Sequence, residues 1–296
     1  MPESKDTLDR NKVLMTASKE TQLEFEYPDS AFGVIVRGID WDHPVENEVN
    51  LLTLALRRNL VVVLRGQPSP THEQRDRFFS RFGILAADTL DGRFHYNLYS
   101  RDEKYEIHRR ETEKEQENFI VSQEAGLTEL VWHTDHFHKP QLKTISVLES
   151  IEFEKGAAET YFRDMYTVCE ILPKEMRHRL EYKQAAYFDT RVPPPDELPR
   201  LCDSTHLIFT PHPDSGRRCL YVHDYTSRIV GIPEVESQKL IEELRGFANK
   251  YAPFYSHAWQ AGDLVFWDNV GVQHRRPRSE PGPRRVMRLY EGVAER

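Results

Sequence analysis

Apolar residues in this chain come in short runs, of the size of Leu60 to Leu64, each bounded by charged or turn-forming residues. A run of that length is far too short to cross a bilayer. Leu60 to Arg65 (LVVVLR) is instead rich in β-branched residues, as a strand buried on both faces is. The same grain recurs along the chain. Thr144 to Ser150, His206 to Pro211, Cys219 to His223, Asp263 to Asn269 and Arg284 to Glu291 read as strands, with another around Phe119 to Gln123. Ala31 to Asp40 (AFGVIVRGID) alternates apolar and polar residues, which predicts a half-buried strand. The turn chemistry of Pro213-Asp214-Ser215-Gly216 predicts a hairpin between HLIFTP and CLYVH.

Helical spacing is confined to four stretches. Glu46 to Arg58 sets Val49, Leu52, Ala55 and Leu56 near one face, and Val235 to Lys250 does the same with Leu240, Ile241, Leu244 and Phe247. Pro68 to Phe82 offers Ser69 or Thr71 as N-cap and turns Phe78, Phe79 and Phe82 inward. Met165 to Leu180 is interrupted near its middle by Pro173. Leu85 to Asn118 is mostly charged without clear periodicity, which reads as a lid, a binding loop or a mobile segment. Many short strands with helices early and between them predict a mainly β, α+β fold: a double-stranded β-helix, or jelly-roll, core with flanking helices. No repeat or low-complexity linker divides the chain, so residues 1–22 read as an N-terminal tail or leading helix and 23–296 as a single domain.

Composition removes several function classes. Hydrophobic residues make up 39% and aromatic residues 11% of the 296, which excludes a disordered chain. A net charge of −8 argues against a generic nucleic-acid binder. Met1 to Lys19 lacks the apolar run of a secretory signal, and no membrane association is expected. Cys169, Cys202 and Cys219 are scattered with no CxxC pair, which suits a reducing cytoplasm.

Chemistry concentrates at Val131 to His138 (VWHTDHFH). In an extended strand, residues two apart share a face, so His133 and Asp135 can reach one metal with Thr134 turned away. His274, in NVGVQHRRP after the Leu264 to Asp268 strand, is placed to supply a second imidazole. Two imidazoles and one carboxylate on one side leave the opposite positions open, which suits non-haem Fe(II). An HxD alone is weak evidence, and His136 and His138 are near enough to be ligands or to line the pocket. Zinc also accepts such a donor set, although the HExxH helix pattern is absent.

From Phe32 to Gly292 the chain resembles the taurine dioxygenase-like family of Fe(II)/2-oxoglutarate enzymes, which includes phenoxyalkanoate dioxygenases. The resemblance rests on FGVIVRGIDW, LRRNLVVVLRGQPSPTHEQRDRFFSRFG, the WHTD of Trp132 to Asp135, GAAETYFRDMYTVCEILP, HPDSGRRCLYV, AGDLVFWDNVGVQHR and RRVMR, in that order. It implies that His133, Asp135 and His274 hold iron. It also implies that Thr160 and Arg285, eleven residues after His274, bind 2-oxoglutarate. A guanidinium suits a carboxylate because it pairs with it bidentately. By alternation Arg284 and Arg288 lie on the face opposite Arg285, and the pattern alone does not say which face turns inward. The basic run from Arg275 to Arg285 reads as cosubstrate binding plus surface charge.

The chain departs from the family in places. A second inward arginine, which contacts sulfonate in taurine dioxygenase, is replaced by Leu289, so a sulfonate substrate is not expected. A substrate-contacting asparagine four positions before the first metal histidine is here Glu129. His95, Tyr96 and Asn97 in the charged segment, Glu129, and Arg288 are the substrate-binding candidates. The resemblance implies an enzyme that uses Fe(II), 2-oxoglutarate and O2 to oxidise, most simply to hydroxylate, a small organic substrate with release of succinate and CO2. Asp135 separates the chain from related halogenases, which lack that carboxylate. Two alternatives stand beside it. One is desaturation, cyclisation or C–N oxidation of an amino-acid-like substrate in small-molecule biosynthesis. The other is a non-catalytic binding protein on the same fold. Relatives often form homo-oligomers.

Overall fold

In a computed structural model, which describes residues 21–43, 45–82, 97–99, 107–112, 115–120, 129–188, 204–278, 283 and 285–292, strands β1 (Glu24–Glu26) and β2 (Val34–Arg37) open a large sheet. Strand β2 is shorter than the alternating segment around it. Val34, Ile35 and Val36 are all buried, so the half-buried expectation is corrected: helices cover one face and the core lies under the other. Helix α1 (Glu46–Asn59) carries Glu46 and Glu48 in its first turn and Arg57 and Arg58 in its last, the arrangement its dipole favours. Strand β3 (Val61–Leu64) follows, buried at every position as its β-branched run predicts. Helix α2 (His72–Ser80) takes Thr71 as N-cap: Thr71 accepts from the Gln74 N–H at 3.2 Å and the Gln74 side chain accepts from the Thr71 N–H at 2.7 Å, a reciprocal capping box.

The charged segment is not wholly irregular. Strand β4 (Asn97–Tyr99) and the hairpin of β5 (Ile107–Thr112) and β6 (Glu115–Ile120) extend one edge of the large sheet. Pairing there runs through the backbone, which charged residues supply as well as apolar ones. Strand β7 (Leu130–His133) ends at the first predicted ligand; β8 (Ile145–Phe153) and β9 (Thr160–Asp164) follow. Pro173 splits the next helical stretch, as expected, into α3 (Met165–Ile171) and α4 (Lys174–Leu180). Strands β10 (Gln184–Tyr187), β11 (Ser204–Leu207) and β14 (Thr226–Ile229) form a small sheet. The predicted hairpin forms between β12 (Phe209–Pro211) and β13 (Arg218–Leu220), while His206 belongs to β11. Helix α5 (Glu234–Tyr251) precedes β15 (Phe254–His257), β16 (Leu264–Asp268), β17 (Val272–Arg276) and β18 (Arg285–Gly292).

Among the described residues the large sheet runs β1-β2-β3-β16-β8-β18-β4-β6-β5, and a second sheet runs β15-β9-β17-β7. Alternation along each strand then divides the core in two. Val36, Val62, Leu64 and Phe266 face Leu52, Ala55, Phe78 and Phe79 of α1 and α2. Val63, Val265, Trp267 and Met287 face inward with Phe162 and Val272 of the second sheet. Burying each such side chain contributes roughly 1.5–3 kcal/mol, so the helices and the second sheet together fix which residues turn into the sandwich. This is the jelly-roll arrangement with flanking helices.

Candidate active site

Strands β7 and β17 pair antiparallel with His133 directly opposite His274, so their side chains leave the second sheet on the same face. The His133 Nδ1–H donates to the Val131 carbonyl at 2.7 Å, which leaves the Nε2 lone pair free to bind a metal. Asp135 is not on the strand, contrary to the strand-alternation expectation; it lies in the turn after it. Asn269 reproduces there what a strand neighbour would have supplied. Its Oδ1 accepts from the Asp135 N–H at 2.9 Å, and its Nδ2 donates to the carbonyls of Asp135 and Lys143, both at 3.1 Å. Thr134 turns away, as expected, and meets the Tyr221 hydroxyl at 2.8 Å.

Asp135 Oδ1 stands 3.8 Å from His133 Nε2 and 3.6 Å from His274 Nε2, and the three donors lie within 4.8 Å of one another. Ser146 on β8 donates its hydroxyl to Asp135 Oδ2 at 2.8 Å, so the other carboxylate oxygen is the one turned to the imidazoles. Burial alone pushes the Asp135 carboxyl up; His274, His133 and the Ser146 hydroxyl outweigh it and hold the group below its ordinary range. Burial pulls His274 down to about 3, against the attraction of Asp135, so its imidazole is neutral and its nitrogen available. Packing against Trp267, 5.0 Å away between ring centres, and Phe162 at 6.2 Å orients that ring. A carboxylate and two imidazoles, held from one side, are the donors a hard, partly open divalent iron site takes. His136 and His138 are not among the three.

A second polar group sits farther along the same inner face. Thr160 opens β9, and its Oγ1 accepts from Trp259 Nε1 at 2.9 Å and from Arg285 Nη2 at 3.5 Å. Burial pulls the Arg285 guanidinium down to about 9, and the charge of Arg276 adds to the effect. No carboxylate among the described residues pairs with Arg285, and its Nε has no hydrogen-bond partner there. Strand register answers the question of facing. Arg285, Met287 and Leu289 stand opposite Phe153, Ser150 and Leu148, on the side of β8 that carries Ser146 inward.

The substrate candidates separate. His95 and Tyr96 lie outside the described residues. Asn97 is described only as a backbone position, opposite Leu289 at the inner face. Glu129 is exposed and pairs with Arg275 at 3.6 Å; Arg275 lies over Trp132 and Tyr161, which face outward from the second sheet, so Glu129 stands apart from the donor triad. Arg288 stands opposite Glu149, whose carboxylate meets Arg75 at 3.2 Å under α2, on the face away from Arg285. Of the aromatics near the metal strands, Phe137, Trp259, Phe266 and Trp267 are buried, as core residues are. Ser146 and Asn269 escaped sequence reasoning, and Trp259 reads in the sequence only as a core aromatic. No local spacing links them to the site, and only strand register brings them there.

The model of the Taurine catabolism dioxygenase TauD, TfdA family matches residues 24–290. Pentalenolactone F synthase of Streptomyces arenae is 30% identical over 303 residues, covering 90% of this chain and 93% of that protein. The alpha-ketoglutarate-dependent 2,4-dichlorophenoxyacetate dioxygenase of Cupriavidus pinatubonensis is 26% identical over 262 residues, covering 81% of this chain and 87% of its own. The fold likeness extends to the crystal structure of AAD-2 in complex with Mn(II) and N-oxalylglycine, with TM-score 0.73, 22% identity and coverage of 93% of this chain and 97% of that one. The chain belongs to the Taurine catabolism dioxygenase TauD, TfdA family and is an Fe(II)- and 2-oxoglutarate-dependent dioxygenase.

Proposed function

We propose that His133, Asp135 and His274 hold the iron, that Thr160 and Arg285 bind the far carboxylate of 2-oxoglutarate, and that the chain hydroxylates a small, largely apolar organic molecule. The observation that carries the reading is Arg285. A partly buried guanidinium with no carboxylate of its own, beside a hydroxyl that already accepts from two donors, is a site waiting for an anion. The bound iron and cosubstrate would supply the oxidising chemistry, with succinate and CO2 as products. The chain's residues do the positioning. Asn269 and Ser146 aim Asp135, the triad occupies one side only, and Phe162 and Trp267 keep water from the imidazole of His274.

The substrate class follows from the wall beside the triad. Leu148 and Leu289 stand opposite each other on β8 and β18, two positions along β8 from Ser146, where taurine dioxygenase would have an arginine. This supports an uncharged group at that point in place of a sulfonate. A second reading keeps the cofactors and changes the outcome to desaturation, cyclisation or C–N oxidation in small-molecule biosynthesis. Its support is the 30% identity to a protein named as a synthase of pentalenolactone F. The pairing of Glu129 with Arg275 gives an amino-acid-like substrate no partner there. Residues 23–296 are proposed as one catalytic domain in the cytoplasm; no helix among the described residues is long and apolar enough to cross a membrane.

The test is anaerobic titration of Fe(II) and 2-oxoglutarate into metal-free protein, followed by a screen of lipophilic acids, lactones and terpenoids for substrate-dependent succinate release. A charge-transfer absorption in the native protein, lost in His133→Ala and weakened in Arg285→Met, is the expected result. No absorption at saturating iron and cosubstrate would overturn the assignment of these residues.

A further inference from the structure

Trp259 is buried, lies two residues beyond β15, and belongs to neither the donor triad nor the guanidinium site. Yet its Nε1–H donates to Thr160 Oγ1 at 2.9 Å, and the Arg285 guanidinium carbon lies 5.8 Å from the centre of its ring. One side chain therefore touches both members of the pair proposed to receive the cosubstrate carboxylate.

The consequence is one of hydrogen-bond polarity. An indole N–H and a guanidinium only donate, whereas a threonine hydroxyl has two lone pairs and one proton. With Trp259 and Arg285 as its donors, Thr160 Oγ1 is filled as an acceptor, and its proton is left for a third partner that must accept. A carboxylate oxygen is such a partner; a carbonyl-free cation or a second donor is not. Without the indole N–H the hydroxyl could rotate and offer a lone pair to an incoming anion, which repels it.

The tryptophan is itself firmly seated. Its ring meets the edge of His257, 4.5 Å between ring centres at 89°. His257 Nε2 lies 3.1 Å from Asp263 Oδ2, and the Tyr255 hydroxyl lies 2.9 Å from His257 Nδ1. Asp263 accepts two bonds from Arg65, at 2.8 and 2.6 Å. Because the carboxylate must accept, His257 donates from Nε2 and accepts from Tyr255 at Nδ1, so both ring nitrogens are fixed. The chain of contacts runs from Arg65, the residue after β3, to Thr160 without a free rotor.

We infer that Trp259 is a positioning residue that sets Thr160 as a donor and so prepares the anion site for 2-oxoglutarate. This rests on the proposed role of Thr160 and Arg285.

The test measures the dissociation constant of 2-oxoglutarate for Fe(II)-loaded enzyme without oxygen, in Trp259→Phe, Thr160→Val, their double variant and Arg285→Met. Trp259→Phe should weaken 2-oxoglutarate about 3–10-fold, the size of one net hydrogen bond, and raise its KM with kcat within about twofold. Adding Trp259→Phe to Thr160→Val should produce no further loss, which a merely structural role would not predict. If Trp259→Phe leaves binding unchanged while Thr160→Val and Arg285→Met weaken it, the inference falls and the site reading stands. If none of the variants weakens binding, the site reading falls as well. Should Trp259→Phe not fold, the wild-type Zn(II) enzyme answers the question through its indole N–H resonances. 2-Oxoglutarate should shift and protect the one resonance that Thr160→Val perturbs, and an unaffected resonance overturns the inference.

Discussion

Replacing Arg285 by methionine should stabilise the protein without cosubstrate and cripple its binding of cosubstrate. Burial pulls the guanidinium down to about 9. At about 1.4 kcal/mol per pH unit, the distance from its ordinary range corresponds to a burial cost of about 5 kcal/mol. That is a ceiling, because Arg285 is only partly buried and the remaining solvent screens its charge. Exchanging buried charge for a hydrophobic side chain of similar volume commonly gains about 1–4 kcal/mol, and Met287 and Leu289 on the same strand face offer an apolar surround. Urea unfolding of the metal-free, cosubstrate-free protein should therefore show Arg285→Met more stable by about 1–3 kcal/mol. The same change removes a charge-assisted contact of about 2–5 kcal/mol to a carboxylate, so 2-oxoglutarate affinity should fall at least about 30-fold. Cosubstrate should then close or reverse that gap, since it stabilises the native protein by about 2–5 kcal/mol more than the variant. A destabilised Arg285→Met without cosubstrate, or an affinity within threefold of native, would refute the reasoning.

Ser146→Ala should weaken Fe(II) binding about 10–100-fold, because Asp135 Oδ2 loses its only side-chain donor among the described hydrogen bonds; competition with a coloured chelator measures it. Arg75→Ala should lower stability in chemical denaturation, since the nearly buried Glu149 carboxylate then loses its 3.2 Å ion pair with Arg75. Stability of the metal-free protein should fall as pH drops below about 6.5. Burial holds His206, His223 and His257 below their ordinary value, so the unfolded chain takes up protons there that the native chain refuses. A melting temperature flat from pH 7 to 5 would contradict that.

Much of this architecture is legible in the sequence where the determinant is local. The Thr71–Gln74 capping box, the break at Pro173 and the β-branched run of β3 each carry their cause within a few residues. The candidate metal donors are legible too, through a route that is only partly the real one. His133 does sit on a strand, but Asp135 reaches the same point from a turn clamped by Asn269, a residue 134 positions away. No periodicity encodes such a partner. The same holds for Ser146 and Trp259, which acquire their roles from the register of β8 and from the packing beyond β15. The charged segment misled for a different reason: β4, β6 and β5 close one end of the large sheet through backbone pairing, which needs no apolar alternation.

Strand β16 lies between β3 and β8, pairs with both, and is buried at all five positions. Its next residue is the asparagine that clamps Asp135. Strands in such a place exchange their amide protons only when the whole molecule opens. The proposed metal seat is thus tethered to the slowest-opening part of the protein, and its shape does not depend on local opening. Strand β5 ends the sheet with a partner on one side only among the described residues, so slow amide exchange should mark β16 and faster exchange β5.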